Sequence, residues 1–142
     1  NGILLHYAAV ENASAKFKTE IIDISSDIDI RFKIRNNTKE STLSLGYDLI
    51  NARNQIIFGS GGKFNCPSNK ISMMSCRIPA NFLNNDIYRI HLYVHTVSMV
   101  KLFSLSEILT FEVKDIKRES GYLGKINGVI RPNLDWSLEL IN

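Results

Sequence analysis

The chain has 142 residues, of which 44% are hydrophobic and 22% are charged, and its formal net charge is +3. This length suits one domain with a sizeable core, and the composition is that of a globular protein rather than a disordered one. Lys and Arg are scattered along the chain, whereas nucleic-acid binding usually needs a strongly basic patch. We therefore predict a single domain over residues 1–142 that does not bind nucleic acid.

No targeting or membrane-spanning segment is recognisable in the sequence. Asn1–Leu5 lacks a basic n-region and is not followed by a long apolar stretch, as a signal peptide would require. No apolar run approaches the roughly 20 residues of a membrane-spanning helix. Because the chain also lacks an initiating Met, we expect it to be a piece of a larger protein.

Alternation of apolar and polar residues predicts the first strands. Ile3–Val10 is a strand candidate, and Asp27–Arg35 alternates over its whole length, which is typical of a half-buried strand in an antiparallel sheet. Thr42–Ile50 alternates likewise and is predicted to form a hairpin with Gln55–Phe58. Gly59–Gly62 is predicted to open a loop. The apolar positions of the two long strands are predicted to face the core: Ile28, Ile30, Phe32, Ile34, Leu43, Leu45, Tyr47 and Leu49.

The second half of the chain continues the pattern. Lys70–Ile78 is a predicted strand that Pro79 ends, because proline cannot donate to a strand ladder. Ala80–Asn85 is predicted to be a short helical turn or loop. Asp86–Thr96 shows the clearest alternation, with Tyr88, Ile90, Leu92 and Val94 on its apolar face. The remaining elements are a predicted loop at Val97–Ser106 and predicted strands at Leu109–Val113, Gly121–Ile130 and Leu134–Leu140.

The spacing of these elements indicates the fold class. About eight to ten short strands follow one another at intervals typical of sandwiches and barrels. The sequence shows no long helical pattern, internal repeat or linker. We predict an all-β fold, an antiparallel β-sandwich of immunoglobulin-like or jelly-roll-like type.

A superficial phosphate-loop motif at Gly59–Lys63 does not withstand inspection. The position of its first glycine holds Ile57, and Phe64 follows the lysine, whereas the motif requires Gly and then Ser or Thr. No helix is predicted after it whose N-terminus would bind phosphate. The chain therefore lacks the residues for nucleotide hydrolysis.

No other catalytic pattern stands out from chance. Glycoside hydrolysis requires two carboxyl groups that face each other across the bond, and Asp48, Asp86 and Glu112 are candidates whose convergence the sequence does not show. No Gly-x-Ser-x-Gly motif is present, so a nucleophilic serine is unsupported. A hydrolase stays an alternative, but we predict no enzyme and no cofactor.

The cysteines and histidines do not indicate a metal site. Zinc needs four ligands at short spacing, and the chain has only Cys66, Cys76, His6, His91 and His95. His91 and His95 are four residues apart, which suits a metal pair on a helix rather than on a strand. We predict no metal and two free thiols, with a disulfide as the alternative.

The polar strip of Asp86–Thr96 is the best candidate site. Its outward positions are Arg89, His91, Tyr93 and His95. Planar side chains stack on sugar rings, and guanidinium and imidazole groups hydrogen-bond to hydroxyls and carboxylates. Such side chains stand about 6.6–7 Å apart along a strand, close to the size of a sugar ring. We predict that Tyr93 stacks on a sugar and that Arg89 pairs with an acidic end group or bridges hydroxyls.

Two further residues and a second polar strip complete the candidate sites. Ser44 and Asp48 join the site if Thr42–Ile50 lies beside Asp86–Thr96 in one sheet. A more basic strip with no aromatic residue, Asp29 to Arg35, is a second candidate. For both strips the alternative is an ordinary solvated sheet face.

Three stretches resemble a known family. They are Cys76–Tyr88, with Ile-Pro-Ala-Asn before its Tyr; Leu109–Val113; and Gly128–Trp136, with Arg-Pro before its Trp. Their order and spacing resemble the C-terminal domain of Wzt-type proteins, the ATP-binding subunits of ABC transporters that export O-antigen polysaccharide. The family often has Gly in the turn where this chain has Asn84–Asp86, but Asn and Asp also tolerate turn geometry.

The resemblance implies a non-catalytic carbohydrate-binding β-sandwich that follows an ATPase domain. It implies recognition of the modified non-reducing end of an O-antigen during lipopolysaccharide biosynthesis in a Gram-negative bacterium. It also implies a homodimer, in some members formed by exchange of the C-terminal strand, and a cytoplasmic location beside the transmembrane subunit at the inner membrane. Pro79, Pro132 and Trp136 are expected to be structural, with Trp136 anchoring the last strand in the core. The alternative is a structural or dimerisation module that contacts the ATPase domain or a second copy.

Overall fold

The computed structural model describes residues 2–16, 21–116 and 124–141. Within these ranges the regular structure is entirely strand, so no helix is present that could span a membrane. This confirms the all-β prediction, with a strand count below the expected eight to ten. The seven strands are β1 (Ile3–Asn12), β2 (Ile28–Asn36), β3 (Thr42–Ile50), β4 (Ile56–Asn65), β5 (Lys70–Ile78), β6 (Asp86–Thr96) and β7 (Lys101–Val113).

The strands form two antiparallel sheets, a three-stranded sheet of order β1-β2-β5 and a four-stranded sheet of order β4-β3-β6-β7. Seven strands divided in this way form an immunoglobulin-like sandwich in which the fourth strand belongs to the second sheet. Near the start of β6, the Tyr88 hydroxyl donates a hydrogen bond to the carbonyl of Asn84 at 2.6 Å. This tyrosine corner is typical of the same fold. Between the two predicted types of sandwich, the topology is the immunoglobulin-like one.

The core lies between the two sheets and is built from the predicted alternating positions. Each fully buried Val, Leu, Ile or Phe stabilises the fold by about 1.5–3 kcal/mol relative to leaving it exposed. Because a one-residue slip would move these side chains to the solvent side, their burial fixes the strand register. The confirmed core positions are Ile28, Ile30, Phe32, Ile34, Leu43, Leu45, Tyr47, Leu49, Tyr88, Ile90, Leu92 and Val94.

Two segments predicted as loops are strands, one wholly and one in part. Gly59–Gly62 lies inside β4 and pairs with β3 along its length. Because glycines have no side chains, alternation of apolar and polar residues could not indicate a strand there. β7 begins at Lys101, which reduces the loop predicted over Val97–Ser106 to Val97–Val100. The pairing of β6 with β7 contains two register shifts, and these irregularities disrupt the alternation from which a strand is predicted.

The predicted C-terminal strands are not confirmed. Gly121–Leu123 lies outside the described residues, and within 124–141 the pairing is limited to one bridge between Ile130 and Leu83. Trp136 is 94% exposed, so its predicted place in the core is wrong for the single chain. Leu134–Leu140 alternates as a strand does, but among the described residues it is not paired with any strand.

Both cysteines are free thiols, as predicted. Cys66 is buried, and this burial raises the pKa of its thiol. The Cys76 Sγ lies 3.4 Å from the Tyr47 hydroxyl oxygen within the core region. The two residues therefore belong to the packing of the sandwich.

Candidate functional site

The outward face of the four-stranded sheet collects all six predicted site residues. β3 pairs with β6, and this register places Ser44 opposite His95 and Asp48 opposite His91. The condition for adding Ser44 and Asp48 to the site is therefore met. We call this surface the tyrosine face, defined by Ser44, Asp48, Arg89, His91, Tyr93 and His95.

The ring of Tyr93 lies directly over Gly46, its partner on β3. A Cβ atom at Gly46 would stand 2.9 Å from Cε2 and 3.1 Å from Cζ of that ring. The phenol oxygen extends toward β4, where it is 3.8 Å from the Cβ position of Gly59. Since any side chain at position 46 would displace the ring, the glycine lets the tyrosine form a platform against the sheet.

Gly61 allows a close approach of β3 and β4 beside this platform. Its Cβ would lie 2.5 Å from the Leu45 carbonyl oxygen and 2.8 Å from the Gly46 Cα, and both of these are backbone atoms. The glycine run that resembles a phosphate loop thus has a packing role in the sheet. The recurrence of glycine at positions 59 and 61 indicates in the sequence that another backbone approaches closely. Which residues approach these glycines is known only from the strand register.

Two imidazoles flank the tyrosine platform along β6. The ring centroids of His91 and His95 lie 6.3 Å and 5.6 Å from that of Tyr93, both in edge-to-face arrangements, which are favourable at these distances. The His91 Nε2 is 2.7 Å from the Ser104 hydroxyl oxygen, and the tautomer decides which of them donates. His95 has no hydrogen-bond partner within the described ranges, so its ring nitrogens are available to a ligand.

Burial raises the pKa of the Tyr93 phenol, and the negative charge of Asp48 raises it further. The phenol is consequently protonated at neutral pH and can donate a hydrogen bond as well as accept one. The platform therefore combines an apolar ring surface with a polar edge. This combination suits a ligand that is itself half apolar and half hydroxylated.

Arg89 lies at one end of the tyrosine face and is already engaged. Its Nη1 donates to the Glu107 carboxylate at 2.5 Å, and its Nη2 donates to the side-chain oxygen of Asn54. The guanidinium thus links the β3–β4 turn to a residue of β7 with positive φ. An acidic ligand group at Arg89 would have to displace a carboxylate that is already in place.

The rival basic strip occupies the outward face of the three-stranded sheet, which we call the arginine face: Asp29, Arg31, Lys33 and Arg35. Each of these side chains has a partner from its own fold. Asp29 accepts two hydrogen bonds from Arg77, at 2.8 Å and 3.0 Å, and the Nε of Arg31 is 3.5 Å from Glu11. Lys33 lies over the ring of Tyr7, and Arg35 donates to Asn37.

A wide cleft of about 840 Å³ lies between β1 and β7. Core side chains, among them Val10, Leu109 and Phe111, form part of its wall, and none of the six predicted site residues lines it. We assign it to the edge of the sandwich, where two edge strands leave the core partly uncovered. Over the described parts of the chain, no cluster of three or more His, Cys, Asp or Glu could hold a metal ion.

The fold and the tyrosine face define an immunoglobulin-like β-sandwich with an aromatic and polar surface on one sheet. Among solved structures, the C-terminal domain of Wzt is similar to this chain with a TM-score of 0.75. The match covers 97% of this chain and 84% of that one at 10% sequence identity. The resemblance drawn from the sequence is thereby confirmed as a likeness of fold.

Other solved structures are similar at lower TM-scores. Bacteroides uniformis beta-glucuronidase 2 gives a TM-score of 0.47 and 12% identity, over 74% of this chain and 12% of that one. The putative ApaA protein from Bordetella pertussis gives 0.40 and 9% identity, over 82% of this chain and 95% of that one. No protein-family model and no curated protein matches the sequence.

Proposed function

We propose that this domain binds carbohydrate without converting it, and that its ligand is the modified non-reducing end of an O-antigen polysaccharide. In this proposal the domain belongs to the ATP-binding subunit of an ABC transporter that exports the polysaccharide. It works in the cytoplasm of a Gram-negative bacterium, beside the transmembrane subunit. The fold likeness to the Wzt C-terminal domain supports this assignment. The observation that carries the binding role is the Tyr93 ring held over Gly46.

A sugar ring fits this arrangement because its C–H face is apolar and its rim is hydroxylated. Tyr93 is held from beneath by Gly46 and from the sides by His91 and His95. An aromatic ring that is already fixed loses little conformational entropy when a ligand stacks on it. Ser44 and Asp48 add a hydroxyl and a carboxylate beside the ring, which can hydrogen-bond to sugar hydroxyls.

Binding without hydrolysis is supported by how the carboxylates near the face are used. Glycosidases need one carboxyl group as acid and a second as base or nucleophile on either side of the bond. Glu107, at the Arg89 end, is tied to that guanidinium. Asp48 is the acid that stays beside the Tyr93 platform, and the other five residues that define the tyrosine face carry no second carboxyl group.

The binding role is tested by calorimetric titration with O-antigen polysaccharide that keeps its natural non-reducing end. We expect Tyr93→Ala to weaken binding about tenfold or more, since stacking contributes about 1 kcal/mol beyond the buried area. Tyr7→Ala removes a 39% exposed tyrosine from the opposite sheet and should leave the affinity unchanged. Equal affinities of wild type and Tyr93→Ala would overturn the proposal, and release of reducing sugar would favour the hydrolase alternative.

The C-terminal segment supports a second proposal, a homodimer formed by exchange of this segment between two copies. Exposed apolar side chains that cluster along one segment are typical of interaction surfaces. The edge strands of the described sheets, which are β1, β4, β5 and β7, can accept a further strand. The exposed apolar side chains are Leu134, Trp136, Leu138, Leu140 and Ile141, all at least 67% exposed.

Analytical ultracentrifugation tests this dimer. The 142-residue chain should sediment as a dimer, and a variant that ends at Pro132 should sediment as a monomer with its sandwich intact. The same species for both chains would rule out exchange of this segment. A dimer that binds no polysaccharide would instead favour the structural module over the carbohydrate-binding one.

A further inference from the structure

Four side chains form a row across the tyrosine face at the end opposite Arg89. In the strand register, Lys63 of β4 faces Ser44 of β3, and Ser44 faces His95 of β6. His95 in turn pairs with Lys101 of β7. Neighbouring strands are about 4.8 Å apart, so the row crosses the whole sheet. We call these four residues the cationic row.

The positive charge of the cationic row is not compensated by any ion pair among the described residues. Lys63 and Lys101 are both exposed, and neither has an ion-pair or hydrogen-bond partner in the described ranges of the chain. The acids of the tyrosine face lie farther along the strands. Asp48 is four residues from Ser44, about 13 Å along β3, and Glu107 is bound to Arg89.

The two ends of the tyrosine face therefore differ in charge. At one end Arg89 is neutralised by Glu107, and Asp48 lies one row nearer the centre. At the other end two lysines stand on either side of a hydroxyl and an imidazole. Lysine ammonium groups supply point charges for an anion, while hydroxyl and imidazole groups supply directed hydrogen bonds.

We propose that the cationic row binds an anionic substituent, a phosphate, sulfate or carboxylate, of the carbohydrate that stacks on Tyr93. This inference rests on the proposed carbohydrate-binding function. His95 follows Tyr93 by two residues, about 6.6–7 Å along β6, so an anionic group on a sugar seated over the ring reaches the row. The charge site thus lies at the end of the face opposite Arg89, because Glu107 already occupies that guanidinium.

The test is an NMR titration of the ¹⁵N-labelled chain with glucose, glucose 6-phosphate and inorganic phosphate. The wild type should prefer glucose 6-phosphate to glucose about tenfold at low salt, and the preference should fall as salt screens the charges. The double variant Lys63→Gln/Lys101→Gln should lose at least about fivefold of this preference. Both lysines are changed together because a single exposed ion pair contributes little binding free energy. The control Lys33→Gln/Lys114→Gln removes the same charge away from the tyrosine face and should keep it.

The outcomes separate this inference from the function on which it rests. If glucose binds in a Tyr93-dependent way without any preference for glucose 6-phosphate, or if both double variants behave alike, the cationic row is overturned and carbohydrate binding stands. If neither sugar binds, the cationic row is overturned, and carbohydrate binding is decided by the polysaccharide titration of wild type and Tyr93→Ala. If inorganic phosphate binds as tightly as glucose 6-phosphate and Tyr93→Ala affects neither, the row does not serve a carbohydrate substituent.

Discussion

The two outward faces of the sandwich carry polar strips that alternate in the same way in sequence but differ in how their side chains are held by the fold. On the arginine face, Asp29 is held by Arg77 and Lys33 rests on Tyr7. On the tyrosine face, Tyr93 lies on a glycine, and the polar atoms of Tyr93 and His95 have no hydrogen-bond partner within the described ranges. Alternation shows which side chains face outward, whereas the cross-strand neighbours decide which of them are free to bind a ligand.

The largest effect on stability is expected at Gly61, on β4 beside the Tyr93 platform. Gly61→Ala would place a Cβ 2.5 Å from a backbone carbonyl and should lower the free energy of unfolding by about 3 kcal/mol, as overpacking does where the backbone has to move. Urea denaturation measures this loss. The neighbouring Gly62→Ala is the matched control, because its Cβ would contact only the Phe64 ring, at 3.4 Å.

A stability of Gly61→Ala within about 0.5 kcal/mol of the wild type, the usual range of surface substitutions, would contradict this packing role. An equal loss in both variants would mean that glycine is needed throughout β4 for its conformational freedom rather than for the close approach to β3. In either case the close approach of β3 and β4 beside the Tyr93 platform would need another explanation.

A smaller, pH-dependent effect is expected on the arginine face. Hydrogen bonds from Arg77 lower the pKa of the buried Asp29 carboxyl, and the charges of Arg77 and Arg31 lower it further. At neutral pH, Asp29→Asn should cost about 1 kcal/mol of unfolding free energy, a modest value because Arg77 is more than half exposed.

The sign of the pH dependence follows from the lowered pKa. The stabilisation by Asp29 is complete above the ordinary carboxyl pKa of about 4, and it is lost as the pH falls through the lower pKa of the folded state. Denaturation of wild type and Asp29→Asn at pH 7 and pH 3 should show their difference shrinking at the acidic pH. Glu11→Gln removes a longer and more exposed contact with Arg31 and should change the free energy of unfolding little. A difference between wild type and Asp29→Asn that grows toward acidic pH would contradict the account.

The smallest effect is expected at Arg89. Because its guanidinium is bound to Glu107 and Asn54, Arg89→Ala should cost about 0.5 kcal/mol of stability and weaken polysaccharide binding less than Tyr93→Ala does. Titration of both variants compares them directly. A loss of affinity as large as that of Tyr93→Ala would return Arg89 to the ligand-contacting role that the sequence predicts.

The sequence predicts the strands whose side chains alternate. Thr42–Ile50, Lys70–Ile78 and Asp86–Thr96 are strands with the predicted bounds. β4 was missed in part because glycines carry no pattern, and the first half of β7 because shifts in register interrupt it. The exposed Leu134–Leu140 has the pattern of a strand, but a strand also needs a partner, which the pattern does not supply.

The site residues on β6 could be predicted from the sequence, whereas their neighbours on β4 and β7 could not. Alternation places Arg89, His91, Tyr93 and His95 on one face, and the pairing of β3 with β6 adds Ser44 and Asp48 as expected. Gly59, Gly61 and the two lysines, by contrast, lie on β4 and β7. Their positions depend on register across strands that are distant in sequence, which local patterns do not determine.

Mapping the bound polysaccharide on the two faces tests the central claim most directly. Amide chemical shifts of the ¹⁵N-labelled chain are followed while an O-antigen fragment with its natural non-reducing end is added. We predict changes along Ser44–Asp48, Gly59–Lys63 and Arg89–His95, with Ile28–Asn36 unaffected. Changes confined to Ile28–Asn36, or none at saturating fragment, would contradict carbohydrate binding on the tyrosine face.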